Sequence, residues 1–480
     1  MKQYLGWIPP NAKRVLEFGC GTGELGAMFK SVQPQAIYIG VETDSEYIKQ
    51  ASSKLDLVIP MAEGEILSKA LYELAPFDCV IYHQTGWESS FGMDIPLTAN
   101  GQVLLFPGCD NYTFPWRLGT VNTKENWDLV TLFSDPVCAF MRMIIPNSFY
   151  KTNPAVNVTE MDLGKMLDKT ALPQGYPYVL IFQRFLSANI QSAQSIYTRL
   201  ASYGGLLVHE FDDWPEKWRD KYIGTRYYDF VGVHAVQTTT QGLGKYFRQF
   251  NPHVLVFPNE LCNLPLERKP EPDGAVRIFY GAVNRQEEWQ SLMPAIREAI
   301  RVYGEKLYFN VVADAGFYEA LPTTQKKYYG KDINGGIFVP YEIYEEALHN
   351  SDIALLPLLD TEFNHMKSDL KYIEAAGHGV AVLAAPTVYK DTIEEDKTGL
   401  IFRDIKDFQQ KLFMLIENRQ LRLNLASAAY EYVKHNRLMC QHYEERLALL
   451  KELLDRRAEL ETERQKRVAD LNKLGNGARK

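Results

Sequence analysis

The chain has 480 residues, of which 46% are hydrophobic and 23% charged, a length that exceeds one hydrophobic core and implies two to four domains. Its formal net charge of −8 argues against a nucleic-acid binder working by general electrostatics. Six scattered cysteines (Cys20, Cys79, Cys109, Cys138, Cys262 and Cys440) form no CxxC pair and no Cys/His cluster at zinc spacing, so neither a disulfide framework nor a zinc site is expected.

The first residues, Met1 to Pro10, are too short and too soon broken by proline to read as a signal peptide. No apolar run approaches the roughly 18 to 20 residues that span a bilayer. The expectation is a cytoplasmic protein, at most in peripheral contact with the inner face of a membrane.

From residue 11 to about 125 the sequence alternates between strand and helix patterns. Arg14-Val15-Leu16-Glu17-Phe18 reads as a buried strand, Gly19-Cys20-Gly21-Thr22-Gly23 as a tight turn, and Glu24 to Phe29 as a helix. Ala36 to Val41 is a second strand ending in Glu42, and Phe77 to Tyr82 and Gln102 to Phe106 are later ones. The order strand, glycine turn, helix, strand, acid is that of a Rossmann-like parallel sheet, in which glycines admit a ligand close to the backbone and the acid accepts ribose hydroxyls. Glu17-x-Gly19-x-Gly21-x-Gly23 followed by Glu42 resembles motif I of class I S-adenosylmethionine-dependent methyltransferases. The resemblance implies that Gly19, Gly21 and Gly23 face the methionine portion of S-adenosylmethionine and Glu42 its ribose. His83-Gln84-Thr85-Gly86-Trp87 follows the fourth strand, where such families place substrate groups, yet matches no known acceptor motif.

A second alternating stretch covers about 130 to 455. It divides near Pro265 to Gly274, whose proline-rich polar composition suits a linker. Before it lie the strands Tyr178 to Phe182 and Leu206 to Glu210; after it lie Val276 to Tyr280, Leu307 to Val312, Ile353 to Leu356 and Val380 to Leu383. From Asn364 the chain reads Asn364-His365-Met366-Lys367-Ser368-Asp369-Leu370-Lys371-Tyr372-Ile373-Glu374. A helix beginning near Lys367 would point free N–H groups above the sheet, and Lys367 with the Ser368 hydroxyl would complete a phosphate cradle. Glu374 falls two turns on, on a face close to Lys367 and Lys371.

This region resembles the donor-binding half of retaining GT-B glycosyltransferases such as those of family 4. The form Lys-Ser-x-x-Lys-x-x-Glu is similar to some bacterial surface-polysaccharide members, and Lys397-Thr398-Gly399-Leu400 matches the family's D-G-x-T-G-L loop in position and type. The usual Glu-x7-Glu pair is incomplete, because Met366 stands where the first glutamate belongs. Val254 to Asn259 has the family's strand before its "P-N" dipeptide. Ile278 to Gly281 with Asn284 and Arg285 stands at its second phosphate-facing loop, where Arg285 offers a bidentate contact.

The resemblance implies a hexose-type transfer from a nucleotide diphosphate sugar to a glycan, glycolipid or protein acceptor, with retention at the anomeric carbon. Lys367, Arg285 and His209 are the implied catalytic groups. Gly281, Asn284, Ser368, Lys371, Glu374 and Thr398 would bind the donor. In His209-Glu210-Phe211-Asp212-Asp213-Trp214, Asp212 and Asp213 are read as acceptor-binding rather than metal-binding, so no metal is required; His209 is also readable as a hydrogen-bonded core residue. The basic and aromatic stretch Trp214 to Tyr228 suits sugar stacking or a lipid headgroup, or simply a surface helix.

From about His442 to Lys473 the sequence is rich in Glu, Arg, Lys and Leu, without Pro or Gly, and reads as one long charged helix whose leucines fade after Leu460. The expectation is an α/β protein: a methyltransferase-like Rossmann domain at 1–127, a GT-B acceptor domain at 128–265, a donor domain at 275–440 and a charged helical tail at 441–480, packed back with a solvated outer end. The rivals are methylation of a glycan, with the later domains only binding it, and a non-catalytic scaffold.

Overall fold

The computed structural model describes residues 11–60, 74–83, 97–106, 127–133, 139–262, 274–330 and 339–477, except 152, 154, 174–176 and 284, together with 5, 8, 9 and 264. Two compact units are present, one of Met1–Pro258 with Met439–Lys480 and the other of Asn259–Leu438. The linker-like residues 265–273 lie outside the described residues.

The first unit holds two sheets. β1 (Arg14–Phe18), β2 (Ile37–Glu42), β3 (Leu57–Pro60), β4 (Phe77–His83) and β5 (Leu97–Phe106) form a parallel sheet in the order β3-β2-β1-β4-β5. Apolar runs suit strands covered on both faces, and Leu16, Phe18, Ile39, Val41, Phe77, Val80 and Tyr82 make one core, with the Phe18 and Tyr82 rings stacked at 4.7 Å. The helix Glu24–Val32 lies close against the sheet because Gly26 has no side chain; a Cβ there would stand 2.3 Å from Leu55 and 2.6 Å from Tyr38. Strand order reverses between β1 and β4, the place where open α/β sheets bind ligands at their carboxyl ends.

The second sheet comprises β6 (Trp127–Phe133), β7 (Val156–Asp162), β8 (Tyr178–Gln183), β9 (Leu206–Glu210), β10 (Ala235–Thr238) and β11 (Val254–Val256), parallel throughout in the order β11-β10-β9-β8-β6-β7. β6 and β7 occupy a stretch where the sequence pattern suggests no strand; β7, Val-Asn-Val-Thr-Glu-Met-Asp, is an edge strand with few apolar residues.

The C-terminal tail corrects the expectation of a single helix. It forms two, Met439–Asp455 and Arg457–Gly477, interrupted at Arg456. Leu447, Leu450, Leu453, Leu454 and Leu460 are buried, as their spacing implies. Beyond Leu460 the helix is held by polar groups rather than left in solvent. Arg464 donates to the Gly232 carbonyl at 3.3 Å and to Glu461 at 2.7 Å; His253 meets Glu463 at 2.6 Å, and Gln194 donates to Asn472 at 2.8 Å. The Leu207 N–H donates to His234 Nδ1 at 2.7 Å, which leaves the ring proton on Nε2, 3.0 Å from Glu461. Hydrophobic periodicity carries no trace of such anchors.

The second unit is built on β12 (Val276–Gly281), β13 (Leu307–Val312), β14 (Lys326–Tyr329), β15 (Ile353–Leu356), β16 (Ala381–Ala384) and β17 (Leu400–Ile401), parallel in the order β14-β13-β12-β15-β16-β17. Its core joins Ile278, Phe309, Val311, Ile353, Leu355 and Leu383 to Trp289, Ile296 and Phe408 from the covering helices. The chain is therefore an α/β protein with three parallel, Rossmann-like sheets. No helix among the described residues is long and apolar enough to cross a membrane.

Candidate functional site

The segment after β15 differs locally from the sequence expectation. A short helix, Glu362–His365, is followed by a turn, and the next helix starts at Leu370 and runs to Gly377. Lys367 and Ser368 thus precede the helix instead of opening it. Asp369 sets this start: its carbonyl accepts the Tyr372 N–H at 2.8 Å, while its carboxylate grips Arg437 through two bonds of 2.6 and 2.8 Å and accepts Thr392 Oγ1 at 2.7 Å. Burial opposes ionisation of Asp369, but Arg437 outweighs it and holds the carboxyl below its ordinary range. Ser368 Oγ accepts the Asn259 amide at 2.9 Å, and Lys367 Nζ lies 4.2 Å from the Phe363 ring centroid.

Within the helix, Lys371 and Glu374 share one face. Lys371 Nζ donates to the Gly281 carbonyl at the end of β12, at 2.5 Å. Glu374 is 4% exposed, and its two oxygens accept the hydroxyls of Tyr341 and Tyr344 at 3.0 Å each. Both tyrosines project from the helix Tyr341–His349. Burial pushes the Glu374 carboxyl up to about 7, against the tyrosine hydroxyls and Lys371. Burial likewise pulls Lys371 down to about 8, helped by Arg285 and Lys367 and opposed by Glu374. Three cations therefore gather at the end of β12.

Arg285 is fixed by Glu288, three residues further along the chain. Its Nη1 meets Glu288 at 3.0 Å and Asn364 Oδ1 at 3.4 Å, while buried Glu288 also accepts Asn364 Nδ2 at 2.9 Å and the Leu359 N–H. The i, i+3 spacing of Arg285 and Glu288 was the available signal. Asn284 lies outside the described residues. Thr398 closes its own loop: its hydroxyl accepts the Glu394 N–H at 2.9 Å and its carbonyl accepts Tyr372 OH at 3.3 Å.

In the first unit, His209 is wholly buried, its ring stacked on Phe230 at 5.0 Å and its Nδ1 3.1 Å from the Asp229 carbonyl. Burial pulls its pKa down to about 4. Phe182, Phe211 and Phe230 enclose the ring, which is the core placement the sequence also allowed, and its Nε2 has no hydrogen-bond partner among the described residues. Asp212 and Asp213 follow β9 and face Arg184, whose Nε meets Asp212 at 2.7 Å and whose Nη2 lies 4.0 Å from Asp213. Arg184 has φ 49, a left-handed backbone uncommon outside glycine. Among the described residues no group of three or more His, Cys, Asp or Glu could hold a metal ion.

At the first sheet, Gly19, Gly21 and Gly23 have φ of 71, 54 and 77, the left-handed region that glycine alone enters freely. Glu42 ties this turn to β2, accepting the N–H groups of Gly21 at 2.7 Å, Thr43 at 2.8 Å and Asp44 at 3.1 Å. Buried Glu17 meets His83 Nε2 at 2.6 Å, joining the ends of β1 and β4. Residues 84–87, also considered for an acceptor, lie outside the described residues.

Residues 285–452 match a family model described as glycosyl transferase-like. Toward its N-terminus the chain is similar to ribosomal protein L11 methyltransferase of Citrobacter koseri, 29% identical over 149 residues, which cover 27% of this chain and 48% of that protein. Among solved structures it is similar to sucrose-phosphate synthase from Thermosynechococcus elongatus (11% identity, TM-score 0.48, 68% of this chain and 99% of that one). It is similar also to Anabaena HepE in complex with UDP and glucose (12%, 0.47, 68% and 99%) and to TarM (13%, 0.42, 57% and 54%). The chain spans about half the length of the curated methyltransferase and of TarM.

Proposed function

We propose that this chain, whose residues 285–452 are glycosyl transferase-like, moves a hexose-type sugar from a nucleotide diphosphate sugar to a glycan, glycolipid or protein hydroxyl with retention of configuration. The observation that carries this reading is Lys371, a half-buried ammonium beside Arg285 and Lys367 at the end of β12. Like charges drawn together and partly desolvated are stabilised by an anion, and a diphosphate has the charge and length to meet all three. Glu288 and Glu374 balance only part of that charge. Arg285, aimed by Glu288, would grip one phosphate and Lys367 would stabilise charge developing on the leaving diphosphate. Glu374 would accept a ribose hydroxyl in exchange for a tyrosine hydroxyl. Gly281, Asn284, Ser368 and Thr398 complete the proposed donor surroundings, and Asp212 and Asp213 the acceptor side. Domain limits of 1–127, 128–265, 275–440 and 441–480, and peripheral attachment at the inner face of a membrane, belong to the same proposal.

The first sheet supports a second binding activity, for S-adenosylmethionine. Among the described residues a Cβ on Gly21 would meet nothing within 4 Å, which supports a backbone open to a ligand. Glu42 Oε1 is taken up by the Thr43 N–H and hydroxyl and the Asp44 N–H, whereas among the described residues Oε2 accepts only the Gly21 N–H, which leaves that oxygen room for one ribose hydroxyl. The bound cofactor would supply a transferable methyl group; Gly19, Gly21, Gly23 and Glu42 would hold it, and the Glu17–His83 pair would brace the turn. Isothermal titration with UDP, GDP, their glucose and mannose conjugates and S-adenosylmethionine tests both sites. Absence of any nucleotide binding would remove the transferase reading, and methyl incorporation without nucleotide release would favour the methylation rival.

A further inference from the structure

Among the described residues, five side chains at or just beyond the carboxyl ends of β9 and β10 keep a buried polar atom with no hydrogen-bond partner: His209 Nε2, enclosed by aromatic rings, and Glu210 Oε2, Trp214 Nε1, Gln237 Oε1 and Thr239 Oγ1. Glu210, Gln237 and Thr239 are each more than nine-tenths buried. Glu210 and Gln237 stand opposite one another in register, so their side chains leave the sheet on the same face, with Gln183 of β8 next in the row. Buried polar groups nearly always find partners, and such a group of exceptions at one strand edge asks for a cause.

Arg142 accounts for only half of Glu210. Its Nε donates to Glu210 Oε1 at 2.6 Å, its Nη1 to the Phe257 carbonyl at 2.8 Å and its Nη2 to the Thr238 carbonyl at 3.2 Å. The guanidinium is thereby committed to the backbone of the neighbouring strand ends, and Oε2 is left over. Arg142 sits in a π-helical turn, Phe140–Ile144, a feature that recurs at functional sites. Burial, opposed by Arg142, lifts the Glu210 carboxyl to about 7. A core built for stability alone would gain by apolar residues here.

We infer that this strand edge is a sugar subsite, in which Glu210 Oε2 and Gln237 Oε1 accept hydrogen bonds from two hydroxyls of a neutral hexopyranoside and the Trp214 indole N–H donates to one of its oxygens. The chemistry follows from the atoms left over. Acceptors dominate, so the ligand must bring donors. An anion would be repelled by Glu210, Asp212 and Asp213, and no metal-ligand cluster is present among the described residues. Arg184 already engages Asp212 and lies 4.0 Å from Asp213, whereas Glu210 Oε2 has no partner among the described residues and is the carboxylate oxygen the ligand would meet. Trp214, four residues beyond Glu210, would add an aromatic ring of the kind on which pyranosides stack. The inference rests on the transferase reading and deepens it, naming the acceptor as a neutral sugar and the residues that hold it.

The test is saturation-transfer difference NMR on the full chain without nucleotide, using methyl α-glucoside, methyl β-galactoside and methyl N-acetyl-β-glucosaminide as probes. At least one should give ring-proton signals with the unaltered protein, reduced fivefold or more in Gln237→Leu and Glu210→Gln and unchanged in Lys367→Ala. Gln237→Leu should keep or raise Tm, since it removes a buried amide oxygen without a partner; a glutamine with a purely structural role would lower it. No signal from any probe, equal signals in all variants, or a lowered Tm for Gln237→Leu overturns the subsite. UDP calorimetry on the same samples separates the two readings. UDP bound without glycoside removes this subsite alone, whereas glycoside bound without any nucleotide supports it and removes the donor reading.

Discussion

The side-chain amide of Asn259 donates to the Ser368 hydroxyl at 2.9 Å, and Arg437 joins the same clamp by donating to the Asn259 carbonyl at 2.9 Å and gripping Asp369. Three segments distant in sequence thus meet where the helix Leu370–Gly377 begins, and Lys367 is the next residue along the chain. A neutral hydrogen bond contributes about 0.5 to 1.5 kcal/mol. Asn259→Ala should therefore raise the donor KM about two- to tenfold with kcat little changed. Ser368→Ala should do the same, and the double variant no more than either alone. Additive losses in this cycle would show that the two side chains act separately.

A second prediction separates ligand space from packing in the first sheet. Gly21→Val should abolish S-adenosylmethionine binding, because the added side chain points into space that no atom of the described residues occupies within 4 Å. Its left-handed backbone adds a strain of about 1 to 2 kcal/mol, so Tm should fall modestly. Sugar transfer should persist. Gly26→Val should instead unfold the sheet, since its Cβ would stand 2.3 Å from Leu55. Equal loss of cofactor binding and sugar transfer in folded Gly21→Val would mean the two sites are not separate.

The parallel sheets and the glycine turn were legible because their signals are local. Apolar runs such as Val15 to Phe18 and the left-handed Gly19, Gly21 and Gly23 announce themselves within a few residues. The start of the helix after Lys367 was not, because it is set by Asp369 through its grip on Arg437, which lies 68 residues beyond Asp369. At the end of β9, alternation puts His209 and Glu210 on opposite faces but cannot say which faces a ligand. Among the described residues both His209 Nε2 and Glu210 Oε2 lack a partner, and only the packing of Phe182, Phe211 and Phe230 around the imidazole tells the two apart. The tyrosines on Glu374 were illegible for a similar reason: Tyr344 is 30 residues away, and nothing local marks its hydroxyl.

Metal dependence gives a third expectation. Arg285, Lys367 and Lys371 already provide positive potential for a leaving diphosphate, and Asp212 is engaged by Arg184. EDTA should leave most transferase activity in place. Near-complete loss restored by manganese or magnesium would mean that Asp212 and Asp213 hold a cation after all.

Substitution at the donor site should divide kcat from KM. A charge-assisted hydrogen bond is typically worth about 1.5 to 3 kcal/mol, or roughly ten- to a hundredfold in rate or affinity. Lys367→Ala should lower kcat/KM by about that factor, mostly through kcat if the lysine stabilises charge on the departing diphosphate. Glu374→Gln keeps the shape but loses the charged acceptor, so its effect should fall chiefly on donor affinity. Wild-type turnover and affinity in both folded variants would show that the site is assigned wrongly.

The sharpest expectation concerns pH, because Glu374 and Lys371 are displaced toward one another from opposite ends of the scale. Glu374, raised by burial to about 7, becomes the charged ribose acceptor only as pH climbs through that value. Lys371, lowered by burial to about 8 with help from Arg285 and Lys367, gives up its charge as pH climbs through that value. Both groups are in their binding form only between the two. The kcat/KM profile for the donor, which reports the free enzyme, should therefore be a narrow bell with an acid limb near Glu374's value and a basic limb near Lys371's. Glu374→Gln should flatten the acid limb and leave the basic one. Lys371→Arg, whose guanidinium stays protonated beyond pH 12 or so, should remove the basic limb, at some cost in geometry because the fork is bulkier than an ammonium. Tyr341→Phe should move the acid limb upward, since a hydroxyl at 3.0 Å that favours the ionised carboxylate has been removed. A profile flat from about pH 6 to about pH 9, or limbs that none of the three variants moves, would show that neither group sets donor binding.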